Sequence, residues 1–412
     1  MVFATLTGEP GAGGAHDVAG RTLRLIQEWL ADERFATSKL VLLTRNAMAV
    51  EPVMESVEAD LLGVAGATAW GMARSAQREH PDRFVIVDLD GHQESAAALP
   101  VALATGEPQL AIRKGQPVVP RLARVTPRPA VRPDLATGTV LLTGATGTLG
   151  KLFARHLVTT YGAAHLLLTS RRGPDAPGAA ELTAELTGLG ATVTVAACDT
   201  ADKDALAALL ASIPADRPLT GVVHAAGTLD DTVIEAMRPE QVERVLRPKV
   251  DAALNLHQLT AGLDLSLFVL FSSVAGIFGL PGQSNYAAAN VFMDTLAQYR
   301  AASGRPTVSL AWGLWAEASG MTGQMSDNDL GRMTAGPAWP RCRRRRAWRS
   351  STPRSPPERL CSYRPGSTRP PCGHRVRCRR CCAGWSGTGS GGRRSRPSIL
   401  AAPRPSATAS PG

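Results

Sequence analysis

The chain has 412 residues, 44% of them hydrophobic, which excludes a disordered polypeptide and leaves room for two folded units. No apolar run nears the ~18 residues of a membrane-spanning helix, and the first residues lack the basic-then-apolar order of a secretion signal, so a cytoplasmic protein is expected. The net charge of +10 is no reason to expect a nucleic-acid-binding body: residues 335–412 hold 18 arginines and one acid, Glu358, leaving 27 basic and 34 acidic side chains in the first 334.

Residues 1–125 read as alternating helix and strand. Leu23, Leu25, Ile26, Trp29 and Leu30 have helical spacing, with no strand signal ahead of them. Leu40–Thr44 is a short apolar strand, residues 57–80 carry a long helical pattern, and Phe84–Leu89 is a second strand. A helix near Ala96–Ala104 precedes two strand-like runs, Gln109–Arg113 and Gln116–Leu122, and the Lys114-Gly115 step between them predicts a hairpin. This alternation predicts a parallel, doubly wound sheet. Thr44-Arg45-Asn46 stands where a phosphate turn needs glycines, so this half is expected to be structural and cofactor-free. Residues 126–137, with three prolines and few apolar side chains, read as a linker.

A second unit opens at Gly138. Val140, Leu141 and Leu142 read as a buried strand that breaks into a turn with Gly144, Gly147 and Gly150 spaced three apart, followed by a helical pattern. Strand, glycine turn and helix start form a dinucleotide site: the glycines admit a pyrophosphate to the backbone, and the helix N-terminus offers it free N–H groups. Thr143, Gly144, Thr146, Gly147, Leu149 and Gly150 are the candidate contacts. Further strands follow at His165–Ser170, Ala191–Ala197, Leu219–His224, Leu267–Ser272 and Thr307–Trp312, with helices at Glu181–Leu189, Ala205–Leu210, Gln241–Leu259 and Tyr286–Arg300. Right-handed crossovers bring all the strand ends to one edge, where ligands bind.

The residues at those ends carry the chemistry. Ser170 and Arg171 close the second strand, where an acid would hold an NAD ribose; arginine suits the extra 2′-phosphate of NADP. Asp199 and Thr200 close the third strand, Asp199 as an acceptor for an adenine amino group, as a helix cap, or both. Ala225, Ala226 and Gly227 leave room for a flat ring. Ser273 follows the fifth strand, Tyr286 lies thirteen residues on, and Asn290, one helical turn later, shares its face. Lys249 stands upstream. A tyrosine with a free pKa of about 10 is a poor acid–base group until an ammonium stabilises its phenolate. Alone, Tyr286 reads as packing; beside Ser273 and Lys249 on a nucleotide fold it reads as catalytic.

TGATGTLG, LLLTSRRG, ACDTAD, VVHAAGTLDD, RPKVDAALNLHQLT, FSSVAGIFGLPGQSNYAAAN and AWGLWAE, in this order and spacing, resemble the ketoreductase region of modular type I polyketide synthases, in the short-chain dehydrogenase/reductase superfamily. The resemblance covers about residues 1–334. Ordinary superfamily members carry lysine four residues after the tyrosine; here that position is Asn290 and the lysine is Lys249, an exchange typical of polyketide ketoreductases. The resemblance implies an α/β fold of two Rossmann-like, doubly wound parallel-sheet subdomains, residues 1–125 catalytically silent and 138–334 catalytic. It implies NADPH as cofactor, an acyl-carrier-protein-bound β-ketoacyl substrate reduced to the β-hydroxyl, and other polyketide synthase domains as partners. Tyr286 would donate the proton, Ser273 orient the carbonyl oxygen, and Lys249 with Asn290 support the proton path. Leu229-Asp230-Asp231 looks like the loop signature of B-type enzymes, Phe278 occupies the A-type tryptophan position, and Ala288 is not the proline associated with epimerisation; together these imply B1 stereochemistry. A non-catalytic remnant of the same fold and a free-standing NADP-dependent carbonyl reductase are the other readings, and a silent first half is superfluous in the latter.

Beyond Leu330 the likeness stops. Residues 335–412 hold 12 of the 30 prolines and no hydrophobic period, so this Arg/Pro-rich tail is expected to be disordered. Cys378 and Cys381 have zinc-ligand spacing near Cys372, His374 and Cys382, but no second pair stands at a usual distance, and no metal is expected. A basic nucleic-acid arm ordinarily includes lysine, and this tail has none. Out-of-frame translation of a GC-rich gene produces such a composition and is the favoured reading. On that reading the second sheet lacks its last strand and helix, and its sixth strand becomes an aggregation-prone edge.

Overall fold

The computed structural model describes residues 1–50, 61–122 and 133–315. The expectations for the tail, for the start of the 57–80 helix and for most of the linker fall outside these residues.

The first half is built on strands β1 (Val2–Thr5), β2 (Leu40–Arg45), β3 (Phe84–Leu89), β4 (Gln109–Arg113) and β5 (Gln116–Val118), which lie side by side in that order. The first four are parallel; β4 and β5 pair antiparallel as the predicted hairpin, with Lys114 and Gly115 both at positive φ in its turn. Strand β1 is an addition to the sequence reading. It has four residues, pairs Val2 with Leu40, and lies at an exposed edge, so it carries no buried apolar run to betray it. Among the described residues, the helices covering the sheet are α1 (Ala12–Ala31), α2 (Leu61–Val64), α3 (Ala67–Glu79) and α4 (Gln93–Leu103). Strand alternation divides the apolar residues. Leu40, Leu42, Phe84 and Ile86 pack with α1 and α3, while Val41, Val85 and Val87 pack on the α4 side.

The second half contains β6 (Thr139–Thr143), β7 (His165–Ser170), β8 (Thr192–Ala197), β9 (Leu219–His224), β10 (Leu267–Ser273) and β11 (Val308–Trp312), all parallel, in the order β11-β10-β9-β6-β7-β8. The chain winds outward from β6 to β8, then returns to the far side of β6. That reversal opens a crevice between the C-terminal ends of β6 and β9. The first sheet runs in simple sequence order and has no such reversal. Its own C-terminal edge is filled by buried Asp88, which accepts from the Thr44 hydroxyl (2.6 Å) and the Ala47 amide (2.9 Å) and pairs with Arg113.

The remaining helices are α5 (Thr148–Tyr161), α6 (Ala179–Gly188), α7 (Lys203–Ala211), α8 (Pro239–Leu246), α9 (Ala252–Leu259), α10 (Val274–Phe278) and α11 (Ser284–Ala302). The single helix expected over 241–259 is two, joined by a π-helical turn at Arg247–Asp251. Pro248 lacks an N–H, and the wider turn absorbs that interruption of the ladder. The halves share one core, which includes Trp70 and Met72 of α3 together with Val291, Phe292 and Met293 of α11. Gly71 permits the approach: a Cβ there would lie 2.3 Å from the Ala288 amide nitrogen.

Candidate active site

At the crevice, Gly144 has φ +64°, and a Cβ on it would lie 2.8 Å from the Ala226 nitrogen. Only glycine satisfies both conditions. A Cβ on Gly150 would strike the Gly144 carbonyl at 2.3 Å, so α5 can begin tight against the turn. Gly147 stands just ahead of α5, with no side-chain cap over the helix N-terminus. Thr143 is buried and its hydroxyl bonds His224 Nδ1 (2.7 Å), which ties β6 to β9 across the switch point. Thr146, Leu149, Ala225, Ala226 and Gly227 are half-buried along the same crevice. These features fit a pyrophosphate against the turn and a flat ring beside Ala225 and Ala226.

Along the edge, Ser170 Oγ accepts from the Gly173 amide (3.1 Å), while Arg171 is exposed. Asp199 accepts from the Ala201 amide (3.1 Å) and pairs with Arg247 (2.8 Å). Burial pushes the Asp199 carboxyl up, but Arg247, the Ala201 amide and the Arg171 charge outweigh it and hold it below the usual range. It therefore serves as turn former and ion-pair partner in this structure. Thr200 is buried behind it and its carbonyl accepts from Asn255 (3.2 Å).

The four candidate catalytic residues converge from three elements. Ser273 ends β10 and caps α10, its Oγ accepting from the Ala275 amide (3.2 Å). Tyr286 and Asn290 lie one turn apart on α11, with Asn290 Nδ2 donating to the Tyr286 carbonyl (2.7 Å). Lys249 enters from the π-helical turn and is buried; its Nζ donates to the Phe271 carbonyl (3.0 Å) and Asn290 Oδ1 (3.1 Å), and lies 5.2 Å from the Tyr286 ring centre. Gly227 makes room for the lysine stem, because a Cβ there would lie 2.8 Å from Lys249 Cε.

The electrostatics differ from the sequence expectation. Burial pushes the Tyr286 phenol above its usual value, and hydrogen bonds with Asn290 and Ser273 oppose that rise only in part. The ring is thus held protonated, the state required of a proton donor. Burial pulls Lys249 down to about 7, with Asp294 acting against the fall. Asp294 is a residue the sequence reading missed. It sits one turn beyond Asn290, accepts from Ser309 Oγ (2.5 Å), and is pushed up by burial to about 6 despite Arg74 and Lys249 nearby. The spacing Tyr286, Asn290, Asp294 was its signal, since three polar residues four apart share one helix face.

The Leu229-Asp230-Asp231 segment borders this group. Gln241 donates to Asp230 Oδ1 (2.8 Å), Arg244 pairs with Asp230, and Gln283 donates to Asp231 Oδ2 (2.6 Å). Asn285, next to Tyr286, donates to the Asp230 carbonyl (2.9 Å). The loop is thereby tied to the start of α11.

Residues 138–317 match the family model described as KR domain, and residues 1–122 match that of the polyketide synthase extender module SpnB, Rossmann fold domain. The spectinabilin polyketide synthase system protein NorA′ of Streptomyces orinoci is 56% identical over 318 residues, covering 77% of this chain and 8% of that protein. The chain spans 4–8% of the length of the first curated relatives it matches. Among solved structures, an A-type ketoreductase from a modular polyketide synthase superposes with TM-score 0.66 at 44% identity, covering 76% of this chain and 66% of the other. The first ketoreductase of the tylosin polyketide synthase superposes with TM-score 0.70 at 38% identity, covering 84% and 73%.

Proposed function

The chain belongs to the ketoreductases of modular polyketide synthases, and we propose that it reduces the β-keto group of an acyl chain held on an acyl carrier protein, using NADPH, within a cytoplasmic assembly of other synthase domains. The observation that carries this reading is the convergence of Ser273, Tyr286, Lys249 and Asn290 beside a glycine crevice. Thr143 to Gly150 would hold the pyrophosphate, Ser170 and Arg171 the 2′-phosphate, Asp199 and Thr200 the adenine side, and Ala225 to Gly227 the nicotinamide side. When bound, NADPH supplies the hydride.

The chain's own residues supply the rest. Ser273 donates a hydrogen bond to the carbonyl oxygen and orients it. Tyr286, kept protonated by burial, gives its proton to that oxygen as negative charge develops there. Asn290 and Lys249 form the path by which the phenol is reprotonated, with Lys249 near 7 able to pass a proton at neutral pH. Residues 1–122 take no part in the chemistry and brace α11. Leu229, Asp230 and Asp231 guide the acyl chain, and we assign B-type reduction of B1 outcome on that loop together with Phe278 and Ala288; the A-type ketoreductase named above shares the framework, so these positions and not the fold carry the assignment.

NADPH oxidation by the full chain with a short β-ketoacyl thioester tests the reading. Tyr286→Phe is expected to lower turnover by about 10²–10⁴-fold while leaving NADPH binding intact. Full activity in that variant would sink the assignment of Tyr286. Absence of turnover in folded wild type would favour a non-catalytic remnant, and chiral analysis giving the A-type hydroxyl would overturn the stereochemical assignment.

A further inference from the structure

A carboxylate of the first half reaches the substrate side of the site. Glu79, the last residue of α3, accepts the Gly282 amide on Oε1 (2.9 Å) and the Ile234 amide on Oε2 (2.8 Å). Those amides belong to two separate segments. Ile234 follows the Leu229-Asp230-Asp231 loop, and Gly282, at φ +80°, lies in the turn leading into α11 and Tyr286. The segments also bond each other, Thr232 N to the Gly282 carbonyl (2.8 Å), so the carboxylate closes a bridge across their junction. A second side chain of the first half holds the opposite polarity of the same loop: Gln27 of α1 donates to the carbonyls of Ile234 (2.9 Å) and Met237 (2.8 Å).

We propose that Glu79 is a positioning residue that holds the Leu229–Thr232 loop in register with the 279–283 turn and so fixes the direction from which the β-ketoacyl chain meets Tyr286. This rests on the ketoreductase reading above. A carboxylate suits the task because both its oxygens accept, and each receives one backbone donor from a different segment. Loop segments otherwise open at low free-energy cost, and a shift of one relative to the other would change which face of the carbonyl is presented.

Glu79→Gln is nearly isosteric, keeps one acceptor and sets an NH₂ group against the other amide. Hydrogen–deuterium exchange of the full chain should then show amides in 230–236 and 279–285 exchanging about tenfold faster, with α3 and α11 still protected and the melting temperature unchanged. With NADPH and a β-ketoacyl thioester, the thioester KM should rise several-fold and the minor hydroxyl epimer increase, while the NADPH KM and kcat stay near wild type. Unchanged exchange in both segments would overturn the clamp. Faster exchange spread through α3 and α11 with a lower melting temperature would make Glu79 a general brace and overturn the proposal. Faster local exchange with an unchanged epimer ratio and thioester KM would overturn its role in substrate direction. Wild-type protein without turnover would refute the reductase reading alone, and the exchange result would then decide the clamp by itself.

Discussion

Lys249 and Arg74 are buried cations, and the half-buried Asp294 carboxylate is electrostatically coupled to both. Arg74 belongs to the first half, donates to the Gly276 carbonyl (2.7 Å) and is drawn down to about 10 by burial, with Asp294 acting against the fall. Asp294 faces both cations, and its charge favours the ammonium form of Lys249. Neutralising it leaves burial unopposed, so Lys249 should release its proton at lower pH. In Asp294→Asn the alkaline limb of the kcat–pH profile is therefore expected to move toward acid relative to wild type. A limb that stays in place would show that Asp294 does not set the state of Lys249. Tyr286, Ser273, Lys249 and Asn290 could be picked out as candidates because each follows a local pattern of strand end, helix spacing or motif. Arg74 could not be, since its partners lie on other elements; the spacing placed Asp294 on the face of Tyr286 and Asn290, but its coupling to Lys249 and Arg74 depends on the fold.

Helix α11 is the element on which the site depends. It carries Tyr286, Asn290 and Asp294 on one face and packs α3 on another, through a contact that leaves no room for a Cβ at Gly71. A methyl group there meets backbone, at 2.3 Å from the Ala288 nitrogen, and neither helix can yield without moving the other. Overpacking of this kind costs about 1–3 kcal/mol. Gly71→Ala is expected to lower the melting temperature by several degrees and to reduce kcat with little change in NADPH affinity, because α11 shifts while the glycine crevice does not. Thermal melts alongside steady-state kinetics check this; an unchanged melt with normal kcat would mean that the interface relaxes freely. The glycine turn of the second half was readable from spacing. Gly71 was not, because a helical glycine is indistinguishable in sequence from a weak helix position until its neighbour is known.

At the scale of the whole molecule, the halves are joined by a shared core and by a titratable bridge. His16 of α1 places Nδ1 2.6 Å from Glu243 of α8 and Nε2 2.6 Å from Asp251, at the end of the turn that bears Lys249. Burial pulls its pKa down, but the bonds and charges of Asp251 and Glu243 outweigh this and raise it above 6.5. A group raised on folding contributes stability that is complete below its unfolded value of 6.5 and is lost as pH rises through the raised value. His16→Gln should accordingly destabilise the chain more at pH 6 than at pH 9 in thermal melts. An equal loss at both would assign the residue to packing alone.

Local pattern in the sequence determined the two α/β halves, the hairpin of the first, the six described strands of the second, the glycine turn and the candidate catalytic residues that the fold brings together. Apolar period and turn chemistry act over a few residues, and so can be read without knowing the fold. Tertiary structure decided the strand β1, which is visible only through its pairing with β2, and the π-helical turn that sends Lys249 inward. It also decided what the first half does for the second. Gly71, Arg74, Glu79 and His16 act on groups more than 150 residues away, and no local pattern encodes a partner at that distance; only the packing of α1 and α3 against α8 and α11 brings them into contact.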